Sequence, residues 1–115
     1  MTTGTHNYND DDRNQNVRIY VNGEIVPRAE AKVSVLDAGF ILGDGVWEGL
    51  RLKNGNLAFV DAHLERLYEG AKAIDLDIGL SPDEIKSEIL RTTAANNMTD
   101  DIHIRLMVTR GLKTT

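Results

Sequence analysis

Val46-Trp47-Glu48-Gly49-Leu50-Arg51-Leu52 alternates, with Val46, Leu50 and Leu52 on one side and Trp47, Gly49 and Arg51 on the other. A period of two marks a strand with one face in a core. Glu48 would then point toward the core side. The same alternation returns in Ile102-His103-Ile104-Arg105-Leu106-Met107-Val108-Thr109, with the aliphatic residues on one face and His, Arg, Met and Thr on the other. Working outward from the first strand, Lys53-Asn54-Gly55-Asn56 is a turn leading into Leu57-Ala58-Phe59, a hairpin pattern. Asp61 is then the expected N-cap of a helix that carries Leu64, Leu67, Ala71 and Ile74 as one stripe and ends near Asp75. Ser81-Pro82-Asp83-Glu84 is a capping box with proline at the first helical position. It opens a second helix with Ile85, Ile89 and Leu90 inward, running to about Asn96 and stopped by Asn97. Upstream, Val17-Arg18-Ile19-Tyr20-Val21, Asn22-Gly23 and Glu24-Ile25-Val26 form another hairpin, ended by Pro27.

The order is strands, two helices, then a strand, without an internal repeat. That predicts an α+β fold: an antiparallel or mixed sheet with two helices packed on one face. Residues 1–16 are almost wholly polar, with Asp10, Asp11 and Asp12 in a row, and are expected to form a disordered tail before a domain at 17–115.

At 115 residues, 41% of them hydrophobic, the chain fits one domain with a core of its own. A net charge of −5 without a basic run argues against nucleic acid as a partner. No cysteine is present and the three histidines are scattered, so neither a disulfide framework nor a metal site is expected. No run of about 18 apolar residues predicts a membrane span, and the N-terminus lacks the pattern of a signal peptide, so a cytoplasmic location is the default. Chemistry then has to come from carboxylates, Arg, Lys or a cofactor.

Trp47, Gly49 and Arg51 on one strand and His103, Arg105 and Met107 on the other make an unusual outward face. Guanidinium groups match carboxylate or phosphate bidentately, so the face suits an anionic ligand. The competing reading is a solvated sheet face with alternating polar residues. An outward indole and a mid-strand glycine weigh against it. Gly43-Asp44-Gly45 is a candidate turn offering backbone N–H groups to an anion, though such turns are common before strands. Arg66 has a helical partner at three-residue spacing in Glu69, and that pair is its structural reading.

Gly39-Phe40-Ile41-Leu42-Gly43-Asp44-Gly45-Val46-Trp47-Glu48-Gly49-Leu50-Arg51, followed by His63-Leu64-Glu65-Arg66-Leu67 and then Ile104-Arg105, resembles the N-terminal domain of the class IV aminotransferases, the fold-type IV pyridoxal phosphate enzymes. These include branched-chain and D-amino acid aminotransferases, R-selective amine transaminases and aminodeoxychorismate lyase. The resemblance runs in register from about Val17 to Thr115 and takes in Asn22-Gly23 and Thr109-Arg110-Gly111. It implies the cofactor pyridoxal 5'-phosphate, transfer of an amino group between an amino acid or amine and a 2-oxo acid, and a homodimer. By resemblance, Arg66 matches the arginine that binds the cofactor phosphate, and Trp47 matches an aromatic position lining the substrate pocket. Gly49 and Arg51 share that face. His103 matches a position that is often a tyrosine helping to hold the substrate carboxylate, and Arg105 matches an arginine that helps accept the second carboxylate of glutamate. No catalytic residue is implied within the chain.

The sequence also departs from the family. Leu42 and His103 stand where branched-chain enzymes often carry tyrosines, and Leu112-Lys113-Thr114-Thr115 replaces the Arg and His with which D-amino acid enzymes trap a carboxylate. The donor and its stereochemistry therefore stay open. The family's Schiff-base lysine lies in a second, C-terminal domain, and none of Lys32, Lys53, Lys72, Lys86 and Lys113 sits in a matching motif. These residues alone are expected to be inactive and to need the missing C-terminal domain. Aminodeoxychorismate lyase activity, or a non-catalytic assembly or binding role, are the alternatives.

Overall fold

The computed structural model describes residues 11–113. Its elements follow as β1 (Arg18–Val21), β2 (Glu24–Pro27), α1 (Ala38–Leu42), β3 (Gly45–Lys53), β4 (Asn56–Leu57), α2 (Val60–Ala73), α3 (Pro82–Ala95) and β5 (Ile102–Thr109). β1 and β2 make one antiparallel hairpin; β4, β3 and β5, in that order, make a separate antiparallel sheet. The expected antiparallel sheet is present, but the first hairpin is not part of it. The hairpin lies instead against α3, where Arg91 donates to the Gly23 carbonyl and stacks on the Tyr20 ring, and Asn96 bonds the backbone of Arg18.

Both Asn-Gly turns form as the sequence predicts. Asn22 and Gly23 in one, and Asn54 and Gly55 in the other, all have positive φ, the backbone of a tight hairpin. The second hairpin is shorter than expected. Phe59 turns into the left-handed region at φ 53° and caps α2, so Ala58 and Phe59 leave the sheet. Asp61 therefore sits in the first helical turn, not at the cap, and its carboxylate takes Lys86 at 2.5 Å. The capping box of α3 is complete: Ser81 accepts from the Glu84 N–H, and Glu84 accepts from the Ser81 N–H.

Leu64 and Leu67 of α2 and Ile85 and Ile89 of α3 form the core cluster, with Val46, Ile104, Leu106 and Val108 of the sheet packed onto it. Both helices thus cover one face of the three-stranded sheet. Leu50 and Leu52 of β3 are fully or almost fully buried. Two predicted core positions are corrected: Ile74 falls just past the end of α2 and Leu90 on the outer side of α3, while Thr93 is buried in its place and donates to the Leu90 carbonyl.

Of the segment 1–16 expected to be a tail, residues 1–10 lie outside the described residues. Asp11–Asn16 are placed, with a 3-10 turn at Asp12–Asn14. Arg13 ties this turn to the carbonyls of Asp100 and Asp101, a long-range contact that polar composition does not reveal. The five-residue helix α1 has no counterpart among the elements expected from the sequence. Its N-cap Asp37 accepts from the Gly39 N–H and from the Thr109 hydroxyl. Gly39 is needed there, because a Cβ on it would collide with Thr109 Cγ2.

Candidate functional site

β5 pairs with β3 along its whole length, and the register sets Trp47 opposite Met107, Gly49 opposite Arg105 and Arg51 opposite His103. Strand alternation therefore places these six positions on one face, the face turned away from α2 and α3. The side chains lean diagonally. The Arg105 guanidinium lies over the Trp47 ring, 4.8 Å from its centroid, a cation–π geometry. The His103 ring lies over Gly49, where a Cβ would meet its Cε1 at 3.0 Å. Arg51 reaches Asp101, Nη2 to Oδ1 2.9 Å, with both side chains largely exposed. Such an exposed pair is worth about 0–1 kcal/mol and yields readily to a better anion. Trp47 and Met107 are themselves more than half exposed, an apolar pair left in water.

Arg66 belongs to a second group, on the helix side of β3. Its partner is not Glu69 but Glu48, the core-side carboxylate of the alternation. Glu48 Oε1 accepts from Arg66 Nη2 at 2.7 Å and from His63 Nδ1 at 2.7 Å, and Oε2 accepts from Arg66 Nε at 2.9 Å. An ionised carboxylate only accepts, so His63 carries a hydrogen on Nδ1. The Arg66 bonds hold the Glu48 carboxyl below the usual carboxylate range, against burial, which pushes it up, with the His63 bond helping less. Glu48 is only 4% exposed, whereas the Arg66 side chain is 70% exposed. This arrangement fixes one edge of the guanidinium and leaves the other in solvent. Among the described residues Arg66 Nη1 has no hydrogen-bond partner.

The structure thus sorts the candidates into two clusters: Trp47, Gly49, Arg51, His103 and Arg105 on one side of β3, and Arg66 with Glu48 and His63 on the other. β4 pairs only with Leu52 and Lys53, so among the described residues no strand lies beside the rest of that edge of β3. A ligand touching both clusters has to reach round it. Sequence motifs do not mark Glu48 and His63 as site residues; the one signal for Glu48 is an acidic side chain on the apolar side of a strand. Two of the three amides in the Gly43-Asp44-Gly45 turn are not free: the Gly43 and Asp44 N–H groups close the end of α1 onto the Gly39 and Ala38 carbonyls. Asp44 serves instead to bind Arg110, Nε to Oδ2 2.7 Å.

Four of the lysines, Lys32, Lys53, Lys72 and Lys113, are exposed, and Lys86 is paired with Asp61. Among the described residues no group of His, Cys, Asp and Glu is arranged to hold a metal, and no helix is long and apolar enough to cross a membrane.

Residues 45–115 match the family model for amino-transferase class IV. The chain is 45% identical over 102 residues to branched-chain-amino-acid aminotransferase-like protein 1 of Arabidopsis thaliana, covering 89% of this chain and 18% of that one. It is 44% identical over 96 residues to a putative branched-chain-amino-acid aminotransferase of Methanocaldococcus jannaschii, covering 84% and 33%. Among solved structures, the branched-chain amino acid aminotransferase of Escherichia coli superposes with a TM-score of 0.76 at 28% identity, over 84% of this chain and 34% of that one. The 4-amino-4-deoxychorismate lyase of Pseudomonas aeruginosa gives 0.62 at 34% identity, over 74% and 30%. The fold is that of the small N-terminal domain of fold-type IV aminotransferases. The chain belongs to the class IV aminotransferase family. It spans between 18% and 33% of the length of the two curated relatives named.

Proposed function

We propose that the polypeptide containing these residues is a pyridoxal 5'-phosphate-dependent aminotransferase, moving an amino group between an amino acid or amine and a 2-oxo acid. The observation that carries this reading is the exposed, edge-anchored guanidinium of Arg66, offered beside a strand whose other face bears the Trp47–Arg105 stack. A phosphate monoester fits that group, because the free Nη1 end donates in the plane needed for two phosphate oxygens. Arg66 would hold the phosphate, and the cofactor, when bound, supplies the electron sink that amino-group transfer needs. Trp47 and Gly49 line the substrate side, Arg105 and Arg51 attract substrate carboxylates, and His103 orients one of them. The lysine that carries the cofactor is supplied from outside these residues, a reading supported by the exposed or paired state of the five lysines here.

The face bearing Trp47 and Met107 is covered in the whole protein by its C-terminal domain or by a second copy. Its exposed apolar area supports this, as do Phe40 and Leu42, exposed on α1. The likeness to the lyase keeps lyase activity as a second reading. The full-length polypeptide, given an amino donor with and without a 2-oxo acid, separates the readings. Turnover that requires the 2-oxo acid and yields the new amino acid in equal amount is the expected result. Turnover without an acceptor would favour the lyase, and cofactor loading without turnover on any donor tried would favour a binding role.

A further inference from the structure

Among the side chains around Arg66, the one whose placement is least expected is Glu48. It sits in the middle of β3, almost wholly buried on the apolar side of the sheet. A buried carboxylate is costly unless its oxygens are bonded, and here both are, by Arg66 twice over and by His63. We propose that Glu48 is a positioning residue for Arg66, holding the Nε–Nη2 edge of the guanidinium so that the Nη1 end is presented to a phosphate group. The inference rests on the reading of Arg66 as the phosphate-binding residue.

Three observations support it. An arginine on the outer face of a helix ordinarily samples many rotamers, and binding an anion through it carries the entropic cost of their loss. Anchoring one edge to a carboxylate that is itself fixed within a strand removes that freedom beforehand. His63, one turn before Arg66 on α2, donates to Oε1 and keeps the carboxylate from swinging away. Finally, the contacts use only one edge: Nε and Nη2 are engaged, and Nη1 is not, among the described residues.

Charge and geometry make opposite predictions. As a charge alone, Glu48 repels a phosphate, so neutralising it tightens binding. As an anchor, it helps, so neutralising it weakens binding. In the full-length protein, Glu48→Gln keeps the side-chain volume while removing the charge and one acceptor oxygen. The dissociation constant for pyridoxal 5'-phosphate is expected to rise about tenfold, the scale of one charge-assisted hydrogen bond. That for pyridoxal, which lacks the phosphate, should change by less than about twofold, within the scatter of a change remote from its ring. In an Arg66→Ala background the weakening caused by Glu48→Gln should vanish, leaving affinity unchanged or tightened by loss of the repelling charge.

Should Glu48→Gln fail to fold, Glu48→Asp keeps the charge but withdraws the carboxylate by one methylene, and the same phosphate-selective loss is expected. Unchanged or tighter pyridoxal 5'-phosphate binding in the variant, or equal weakening of pyridoxal, would overturn the positioning role. If Arg66→Ala weakens cofactor binding while the Glu48 variants do not, only this inference fails. If Arg66→Ala leaves cofactor affinity unchanged, the reading of Arg66 fails and this inference falls with it.

Discussion

Replacing Gly49 by alanine tests whether the outward face of β3 and β5 is a working surface or a solvated one. The added Cβ would sit 3.0 Å from His103 Cε1, 3.6 Å from Nε2 and 4.0 Å from Trp47 Cζ3. Normal carbon contacts are about 3.5–4.0 Å, so the imidazole has to move by roughly 0.5 Å or rotate off the strand. His103 is exposed, so the movement costs little. Alanine also relieves the entropic cost of glycine within a strand, about 0.5–1 kcal/mol. The two effects offset, and the net change in stability should lie within about 1 kcal/mol of zero. The effect on a substrate is larger, because the same Cβ narrows the floor between Trp47 and His103, and misplacing a contact by about 1 Å costs up to about 100-fold in rate. Thermal unfolding and kcat/KM of the full-length Gly49→Ala protein, measured side by side, should show a nearly unchanged Tm with a loss of about tenfold or more in kcat/KM. A kcat/KM within about a factor of two of the parent would refute the reasoning and return this face to the solvated reading.

Arg105→Ala should reduce kcat/KM for acidic donors or acceptors more than for aliphatic ones, by about tenfold for one lost carboxylate contact; an equal loss for both classes would mean that its stack on Trp47 is only structural. Gly45→Ala should destabilise the protein by about 1–3 kcal/mol in denaturant titrations, because its Cβ would meet the Val108 carbonyl oxygen at 2.5 Å and backbone cannot turn aside. Since the Glu48 carboxyl is held below its ordinary value, chiefly by Arg66, its contribution is fully present above the unfolded-chain value of about 4.3 and is lost as pH falls through the lower folded value. Acid titration of stability should therefore be shallower in Glu48→Gln below that pH, and an unchanged slope would contradict the pairing.

Strand alternation, both Asn-Gly turns and the Ser81 capping box were determined by local chemistry, which is why they could be read from consecutive residues. The two-residue period also places Trp47, Gly49 and Arg51 on one face and Glu48 on the other. What the sequence alone did not determine depends on contacts between residues far apart in the chain. The Arg66–Glu48 pair spans two elements, and on the helix by itself Glu69 is an equally good partner, so only the packing of α2 on β3 decides between them. The lean of Arg105 onto Trp47 and of His103 over Gly49 follows from the β3–β5 register, which alternation leaves undetermined by any even shift. The same holds at the N-terminal side, where Arg13 binds the Asp100 and Asp101 carbonyls, contacts that composition does not predict. Local propensity acts over a few residues, whereas burial, register and the pairing of a buried charge are settled only when distant segments meet.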